Sequence, residues 1–461
     1  MLFDLNEYKD KKVHFIGIGG VSMSGLAAIL LNNDIKVTGS DFKDSENVKR
    51  LRSQGAEIFF GHEETNITDQ DVVVYTAAIS DDNPELRKAR SLNLETYDRA
   101  HFLGHIIKNF SNSIAVTGTH GKTSTTSMLT AIALAANTDP TILVGANLPL
   151  IGGNYRIGDG DLFITEACEY KGSFLHFPGQ VALLLNLEAD HLDYYRDLDH
   201  IIATFKEYLT LIPKDGTVVV NMDDLSLREV MKEAKNKNII TFGLHSGDLY
   251  ARSITYDAVG RANFSVYHDG KFLMTLKLKV PGEFNVYNAL GAIGCSIAAN
   301  LPLDDVKKGL EEYGGVDKRF QELYQKKGIT VIDDYAHHPR EILNSIATAL
   351  KMHAKRIHVV FQPHTYTRTK LLFNDFVESF DRADSLIILP VFAARELDTG
   401  LVSSEELVHA INARKTVDTL YFETFLEAAE HLKEHIKDGD LVLTMGAGDA
   451  VNVAYELEKL L

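Results

Sequence analysis

The segment Gly118-Thr119-His120-Gly121-Lys122-Thr123-Ser124 carries the residue types that hold phosphate. Glycine has no Cβ, so backbone N–H groups can approach phosphate oxygens, while Lys122 supplies a cation and the Thr123 hydroxyl an Mg2+ ligand. An apolar run at 113–116 precedes the loop and a helical-period segment from 123 to about 136 follows it. Strand, loop and helix thus come in the order that phosphate binding needs. The longer pattern G-x-x-x-x-G-K-[ST] also asks for glycine at 116, where this chain has Val116. An ordinary glycine turn with an exposed lysine is the alternative.

A second loop, Gly17-Ile18-Gly19-Gly20-Val21-Ser22, follows a strand-like run at 12–16, and Asp41 closes the next strand. It resembles the dinucleotide fingerprint of Rossmann domains, with Ser22 in place of the third glycine. It suits NAD, another diphosphate such as a nucleotide sugar, or a purely structural turn. With a triphosphate loop downstream, a diphosphate-bearing substrate is the more economical reading.

Acids and histidines gather at further strand ends, where open α/β sheets bind ligands. Glu166 closes the run 162–165, and Glu188-Ala189-Asp190-His191 follows the run 181–187. Carboxylates suit Mg2+, whereas the imidazole of His191 prefers softer metals. Asp333-Asp334-Tyr335-Ala336-His337-His338-Pro339 and Gln362-Pro363-His364-Thr365-Tyr366-Thr367-Arg368 each follow a strand. Arg368 can grip a carboxylate through two parallel hydrogen bonds. Helix capping, for the acids, and a surface or satisfied core position, for the histidines, are the bland alternatives. Gly446-Ala447-Gly448-Asp449 has no neighbouring cation and reads as structural, and Cys168 and Cys295 read as small buried residues.

The elements that must position these groups form three series of short apolar strands alternating with helices, which defines an α/β fold with mostly parallel sheets. The first has strands at 12–16, 35–38, 57–60 and 71–75, a helix near 22–31, and ends around 98–103. The second has strands at 113–116, 162–165, 181–187 and 217–221, then alternating stretches at 248–256 and 262–279 that predict antiparallel strands at a sheet edge. A polar, glycine-containing hinge at 313–318 leads to the third, with strands at 329–332, 357–361, 385–389 and 441–444. The expected domains are 1–103, 104–317 and 318–461.

The 461 residues include 47 Lys plus Arg against 64 Asp plus Glu, a net charge of −17 that repels nucleic acids and membrane surfaces. A small anionic substrate is still admitted, because loop amides and a few cations make a local anion site. The two cysteines lie far apart without CxxC spacing, which points to a reducing compartment and away from a disulfide or thiolate-metal framework. The amino-terminal MLFDLNEYKDKK lacks a signal-peptide core, and no apolar run reaches the ~18 residues of a membrane span. A cytoplasmic, unanchored enzyme is expected.

HFIGIGGVSMSGLA (14–27), TGTHGKTSTT (117–126), NLEADHLDYY (186–195), VPGEFNVYNALGA (280–292), DDYAHHP and FQPHTYTR together resemble the Mur ligases, in order and spacing over nearly the whole chain. The resemblance implies three domains: a Rossmann-like N-terminal domain for a UDP-sugar, a central P-loop ATPase-type parallel sheet with appended antiparallel strands, and a C-terminal Rossmann-like α/β domain. It implies that ATP with Mg2+ activates the carboxylate of UDP-N-acetylmuramate as an acyl phosphate, which the amine of L-alanine attacks. Partners would be these small molecules, with no nucleic acid or membrane, in a monomer or homodimer.

Carried over by position, Lys122, Glu166 and His191 would be catalytic, with Thr123, Glu166 and His191 around the metal. ATP would meet Gly118, Thr119, His120, Gly121, Lys122, Thr123, Ser124, Asn285, Asn288, Arg319 and Asp334. The UDP-sugar would meet Gly17, Gly19, Gly20, Ser22, Met23, Ser24 and Asp41, and the amino acid Tyr335, His337, His364 and Arg368. The chain departs from many relatives at Thr365, where some carry a second arginine, and at Cys168, where many carry aspartate. Lys206 is the nearest lysine to the position that is carbamylated in sister ligases. Ligation of a tripeptide to the same UDP-sugar, NAD(P)-dependent oxidoreduction and non-catalytic nucleotide sensing are the alternative functions.

Overall fold

The computed structural model describes residues 5–76, 78–234, 237–394 and 396–461. Residues 1–4 of the amino-terminal segment read above lie outside them. The first sheet contains β1 (Lys12–Ile16), β2 (Lys36–Asp41), β3 (Glu57–Phe60), β4 (Val72–Tyr75) and β5 (Glu95–Asp98) in the order β3-β2-β1-β4-β5. All neighbours are parallel. Its order reverses at β1, so the loop after β1 opens at the switch point, where ligands bind in such sheets. The boundary expected at 103 falls inside the helix Arg99–Ile107. Phe102 of that helix packs edge-on against Phe15 of β1 with ring centroids 5.9 Å apart, so the helix belongs to the first sheet and the chain leaves it after residue 107.

The second sheet has ten strands: β6 (Asn112–Thr117), β7 (Thr141–Leu148), β8 (Gly153–Arg156), β9 (Leu162–Glu166), β10 (Val181–Leu184), β11 (Thr217–Asn221), β12 (Asn238–Gly243), β13 (Leu249–Tyr256), β14 (Arg261–His268) and β15 (Lys271–Pro281). Their order is β15-β14-β13-β12-β11-β10-β6-β9-β7-β8. The stretches expected to be antiparallel are β13 to β15. The hairpin β7–β8 at the opposite edge adds a third antiparallel pair, which the sequence reading missed. β6 lies centrally, flanked by β9 and β10, and its in-facing residues are fully buried. The helix Lys122–Ala135 that follows β6 is buried along almost its whole length. It is covered by the helices Phe284–Ala298 and Leu303–Glu312, and the second of these approaches so closely that Gly309 abuts the backbone of Ile132. A helix enclosed in this way holds its N-terminal end, and thus the phosphate loop, in a fixed position.

The third sheet contains β16 (Gln321–Lys326), β17 (Ile329–Asp334), β18 (Ile357–Phe361), β19 (Ser385–Ile388), β20 (Thr419–Tyr421) and β21 (Leu441–Met445) in the order β16-β17-β21-β18-β19-β20. Only β16 is antiparallel. Asp334 and Phe361 both face Met445 across β21. This register sets the two histidine-bearing loops, after β17 and after β18, side by side at one edge. Between β17 and β18 runs the helix Pro339–Leu350, started by a capping box in which the His338 side chain and Glu341 satisfy each other's backbone N–H groups.

Candidate active site

The phosphate loop joins β6 to the helix Lys122–Ala135. Gly121 caps that helix with φ 85°, a left-handed conformation that favours glycine. A Cβ there would lie 2.7 Å from Asn288 Oδ1. The loop takes its shape from Asn186, whose side chain accepts a hydrogen bond from His120 N at 2.7 Å and donates to His120 O at 2.9 Å. Glu188 N donates to Thr119 Oγ1 at 2.9 Å. Asn186 had no role assigned from sequence, because the segment after β10 that carries it reaches the phosphate loop only once β10 has paired with β6.

Lys122 Nζ donates to both Glu169 oxygens, at 3.1 and 2.9 Å, and to the carbonyls of Thr119, at 3.0 Å, and Gly118. Burial disfavours the ammonium, but Glu169 outweighs it and raises the Lys122 pKa. Glu169 is itself buried and was likewise missed. On the other side of the loop, Thr123 Oγ1 donates to Glu166 Oε2 at 3.1 Å. Pairing of Val116 with Glu166 across β6 and β9 delivers that carboxylate to the loop. The hydroxyl and carboxylate oxygens form a hard donor pair, the chemistry that Mg2+ requires. His191 has φ 54°, and its Nε2 stands 3.7 Å from Glu169 Oε1 and 3.8 Å from Asp190 Oδ2.

The C-terminal sheet closes the site from above. Arg368 donates from Nε and Nη2 to Asp190 Oδ1 at 3.3 and 3.1 Å, while its Nη1 lies 3.1 Å from His364 Nδ1. Burial alone would raise the Asp190 pKa, but His191 and Arg368 hold it far below the usual carboxylate range. Tyr335, His364 and Arg368 join Asp190 and His191 in lining a cavity of about 480 Å³. His337 stands behind this wall, its Nδ1 2.8 Å from Tyr335 O, and burial lowers its pKa to about 4. Thr365 accepts from Arg368 N at 3.4 Å as the cap of the helix Tyr366–Leu371, so its side chain serves here to start a helix.

A second cavity, of about 370 Å³, lies between the central and C-terminal domains and is lined by His120, Gly121, Ser124, Asn288, Arg319 and Asp334 among others. Asn285 sits behind Asn288, accepting from its Nδ2 at 3.1 Å and donating to Pro281 O at 2.7 Å. Burial pushes the Asp334 pKa up to about 6, despite hydrogen bonds from Ser345 Oγ and Phe320 N. The Arg319 guanidinium stacks 5.0 Å from the Tyr335 ring centre. His120 bridges the two domains, 3.0 Å from Glu341 Oε1 and 3.3 Å from Glu188 Oε2. Burial opposes its charge, but these two carboxylates raise its pKa to about 9. Glu341, like Glu169, is an acid that the sequence reading did not single out. Lys206, by contrast, pairs with Glu229 at 3.1 Å.

In the N-terminal domain, Gly17 has φ 79° and Gly20 caps the helix Val21–Asn32. Asp41 Oδ2 accepts from Gly19 N at 2.9 Å, so this acid braces the glycine loop itself. Ser22 Oγ accepts from Arg99 at 3.2 Å. Met23 and Ser24, expected at the ligand, are buried, and Ser24 Oγ donates to Val21 O at 3.0 Å. Their side chains face the interior because this first helical turn docks on the β7–β8 hairpin, where Asn154 Nδ2 also reaches Ser24 Oγ at 3.3 Å. Arg99 adds a cation that was overlooked; its place immediately after the β5 strand end was the available signal.

A phosphate loop in a ten-stranded sheet, facing a histidine- and arginine-bearing sheet and preceded by a diphosphate-type domain, defines a three-domain nucleotide-dependent ligase. The chain matches the Mur ligase family, catalytic domain over residues 12–111, the Mur ligase middle domain over 116–296 and the Mur ligase, glutamate ligase domain over 318–448. It is 52% identical over 453 residues to the UDP-N-acetylmuramate--L-alanine ligase of Clostridium perfringens, covering 98% of this chain and 99% of that protein. It is 50% identical over 460 residues to the Clostridium beijerinckii protein of the same name, covering 100% of both. The solved UDP-N-acetylmuramate-alanine ligase of Thermotoga maritima superposes with a TM-score of 0.80 at 28% identity, covering 98% of this chain and 99% of that one. A murein peptide ligase from Psychrobacter arcticus shares the fold, with a TM-score of 0.70 at 24% identity over 97% and 98% of the two chains. The chain belongs to the Mur ligase family.

Proposed function

We propose that this enzyme joins L-alanine to the carboxylate of UDP-N-acetylmuramate at the expense of ATP, as a UDP-N-acetylmuramate--L-alanine ligase of peptidoglycan precursor synthesis. One observation carries the reading: Lys122 and Arg368, from different domains, end on Glu169 and Asp190, and His191 stands 3.7 and 3.8 Å from those same two acids. A cation suited to phosphate and a guanidinium suited to an amino-acid carboxylate thus face one another across a single histidine.

In the proposed reaction, Gly118 to Ser124 and Lys122 hold the phosphates of ATP, with Asn285, Asn288, Arg319 and Asp334 around the remainder of the nucleotide. Thr123, Glu166 and His191 would hold Mg2+, which when bound neutralises charge on the transferring phosphoryl group. The substrate carboxylate is a poor electrophile until phosphorylated. As an acyl phosphate it loses phosphate when the amine attacks, and the chain's main contribution is to position the groups and stabilise their charge. Arg368, freed from or shared with Asp190, pairs with the alanine carboxylate, while Tyr335 and His364 shape its cavity and His337 supports Tyr335. Gly17, Gly19, Gly20 and Ser22, with Asp41 bracing the loop, would receive the diphosphate of the UDP-sugar beside Arg99. Met23 and Ser24 contribute through the fold of the helix start.

No helix among the described residues is long and apolar enough to cross a membrane. We place the enzyme in the cytoplasm as a monomer or homodimer acting on small molecules, with domains divided near 103–111 and 317. The test is phosphate release from MgATP with UDP-N-acetylmuramate present and the acceptor omitted or supplied as L-alanine, glycine, L-serine or the tripeptide. Release that requires both the UDP-sugar and L-alanine is expected. Release dependent on the tripeptide alone would assign the recycling reaction, and no release despite ATP binding would overturn the ligase reading.

A further inference from the structure

His120 lies in the phosphate loop, Glu188 in the segment after β10, and His338 at the cap of the helix Pro339–Leu350 in the C-terminal domain. Their ligating atoms all lie within 4.8 Å of one another. His120 Nε2 is 3.3 Å and His338 Nδ1 3.9 Å from the same oxygen, Glu188 Oε2. Ligand atoms bound tetrahedrally at about 2.0–2.1 Å from a metal sit about 3.3 Å apart, so the separations, all within 4.8 Å, need shorten by no more than about 1.5 Å to close the set.

The second layer is already in place. His120 Nδ1 is 3.0 Å from Glu341 Oε1, so a metal that displaces the proton from Nε2, the nitrogen facing Glu188, reproduces the carboxylate–histidine–metal arrangement. His338 Nε2 is 3.4 Å from Ala189 O, which leaves Nδ1, whose helix-capping hydrogen bonds from Arg340 N, at 3.4 Å, and from Glu341 N would give way to a metal. Arg340 Nε takes the other Glu188 oxygen at 3.3 Å. His120 and Glu188 line the 370 Å³ nucleotide cavity, which supplies both an entry path and room for a fourth ligand, water. Two imidazoles and one carboxylate select a borderline-soft cation over Mg2+.

We propose that His120, Glu188 and His338 form a transition-metal site, distinct from the Thr123–Glu166 position, that takes a Zn2+-class cation, fastens the phosphate loop to the C-terminal domain and inhibits turnover. The inhibition follows from geometry. The metal crosses the interface that must open to exchange nucleotide, and it stands at the wall of the nucleotide cavity.

The experiment is a Co2+ titration of the full-length enzyme in excess Mg2+, followed by visible absorbance, with Zn2+ inhibition of phosphate release measured in parallel. His338→Asn retains a capping side chain for the helix, and Glu188→Gln provides a second variant should the first fail to fold. The wild type is expected to develop the intense band of four-coordinate Co2+, reversed by Zn2+. A folded variant should lose at least about tenfold in Co2+ affinity and in sensitivity to Zn2+, each relative to its own metal-free rate. A weak octahedral spectrum in the wild type, or equal Co2+ affinity and Zn2+ sensitivity in wild type and a folded variant, would overturn the site.

Discussion

The Arg368 guanidinium and the Asp190 carboxylate, 3.1 Å apart, join the C-terminal domain to the central domain across the amino-acid cavity. The same guanidinium is the group proposed to receive the carboxylate of L-alanine. Arginine can serve both because its fork presents several donors in fixed geometry, whereas lysine offers a single point charge. Arg368→Lys is therefore expected to raise the KM for L-alanine by roughly 10- to 100-fold, the value of a charge-assisted hydrogen bond or two, while the KM for ATP changes little. Steady-state titration of both substrates checks it. An equal loss for both would place Arg368 in domain closure alone.

Lys122 is committed to Glu169 and two loop carbonyls. When nucleotide phosphates arrive, the ammonium has to exchange some of those partners for phosphate oxygens. Lys122→Ala should lower kcat by about 10²- to 10³-fold, the usual effect of removing one preorganised group that stabilises transition-state charge. The circular dichroism spectrum should be unchanged, although the variant leaves Glu169 buried without its cation. A folded Lys122→Ala enzyme with full turnover would remove the phosphate loop from the mechanism.

Both of these cations could be proposed as site residues from sequence because their motifs follow strand ends, and strand ends converge in an α/β sheet. Glu169 and Glu341, which receive Lys122 and His120, were given no role, and Asp190, which receives Arg368, was read only as a candidate metal carboxylate. An acid a few residues past a strand looks the same in sequence whether it caps a helix or neutralises a cation from another domain. The fold showed a similar division. β1, β6, β17 and β18, buried and apolar, were plain in the sequence, while β8 and β16 at sheet edges, and β7 beside β8, carry mixed patterns and were missed. The side chains of Met23 and Ser24 were hard to place for a related reason: their glycine-rich context signals a ligand loop, but docking on the β7–β8 hairpin turns them inward.

The contact between phosphate loop and C-terminal domain should be strongest in a window of pH. His120 has its pKa raised to about 9 by Glu341 and Glu188 against the burial that opposes it, so its contribution is complete below about 6.5 and disappears as pH rises through about 9. His337 has its pKa lowered by burial to about 4 and works in the opposite sense. It favours the closed arrangement above about 6.5 and ceases to do so as pH falls toward 4. Thermal unfolding measured across pH should peak near about 6.5 and fall from there toward about 9, and His120→Gln should flatten that alkaline limb. An alkaline limb identical in wild type and His120→Gln would assign that loss to other groups.

Gly121 and Asn288 offer a test of how the loop is shaped. Replacing Gly121 with alanine imposes φ 85° on a residue with a Cβ and places that Cβ 2.7 Å from Asn288 Oδ1. The backbone component costs about 1–2 kcal/mol and has no dependence on Asn288. The steric component disappears if the asparagine side chain is shortened. Gly121→Ala should thus destabilise by more than about 1 kcal/mol, and adding Asn288→Ala should recover part of that loss, giving a coupling of the 0.5–3 kcal/mol order found for residues in contact. Denaturant unfolding of the two single variants and the double variant measures it directly. Simple additivity would mean that the loop relaxes away from Asn288, and the left-handed backbone alone would then account for the glycine.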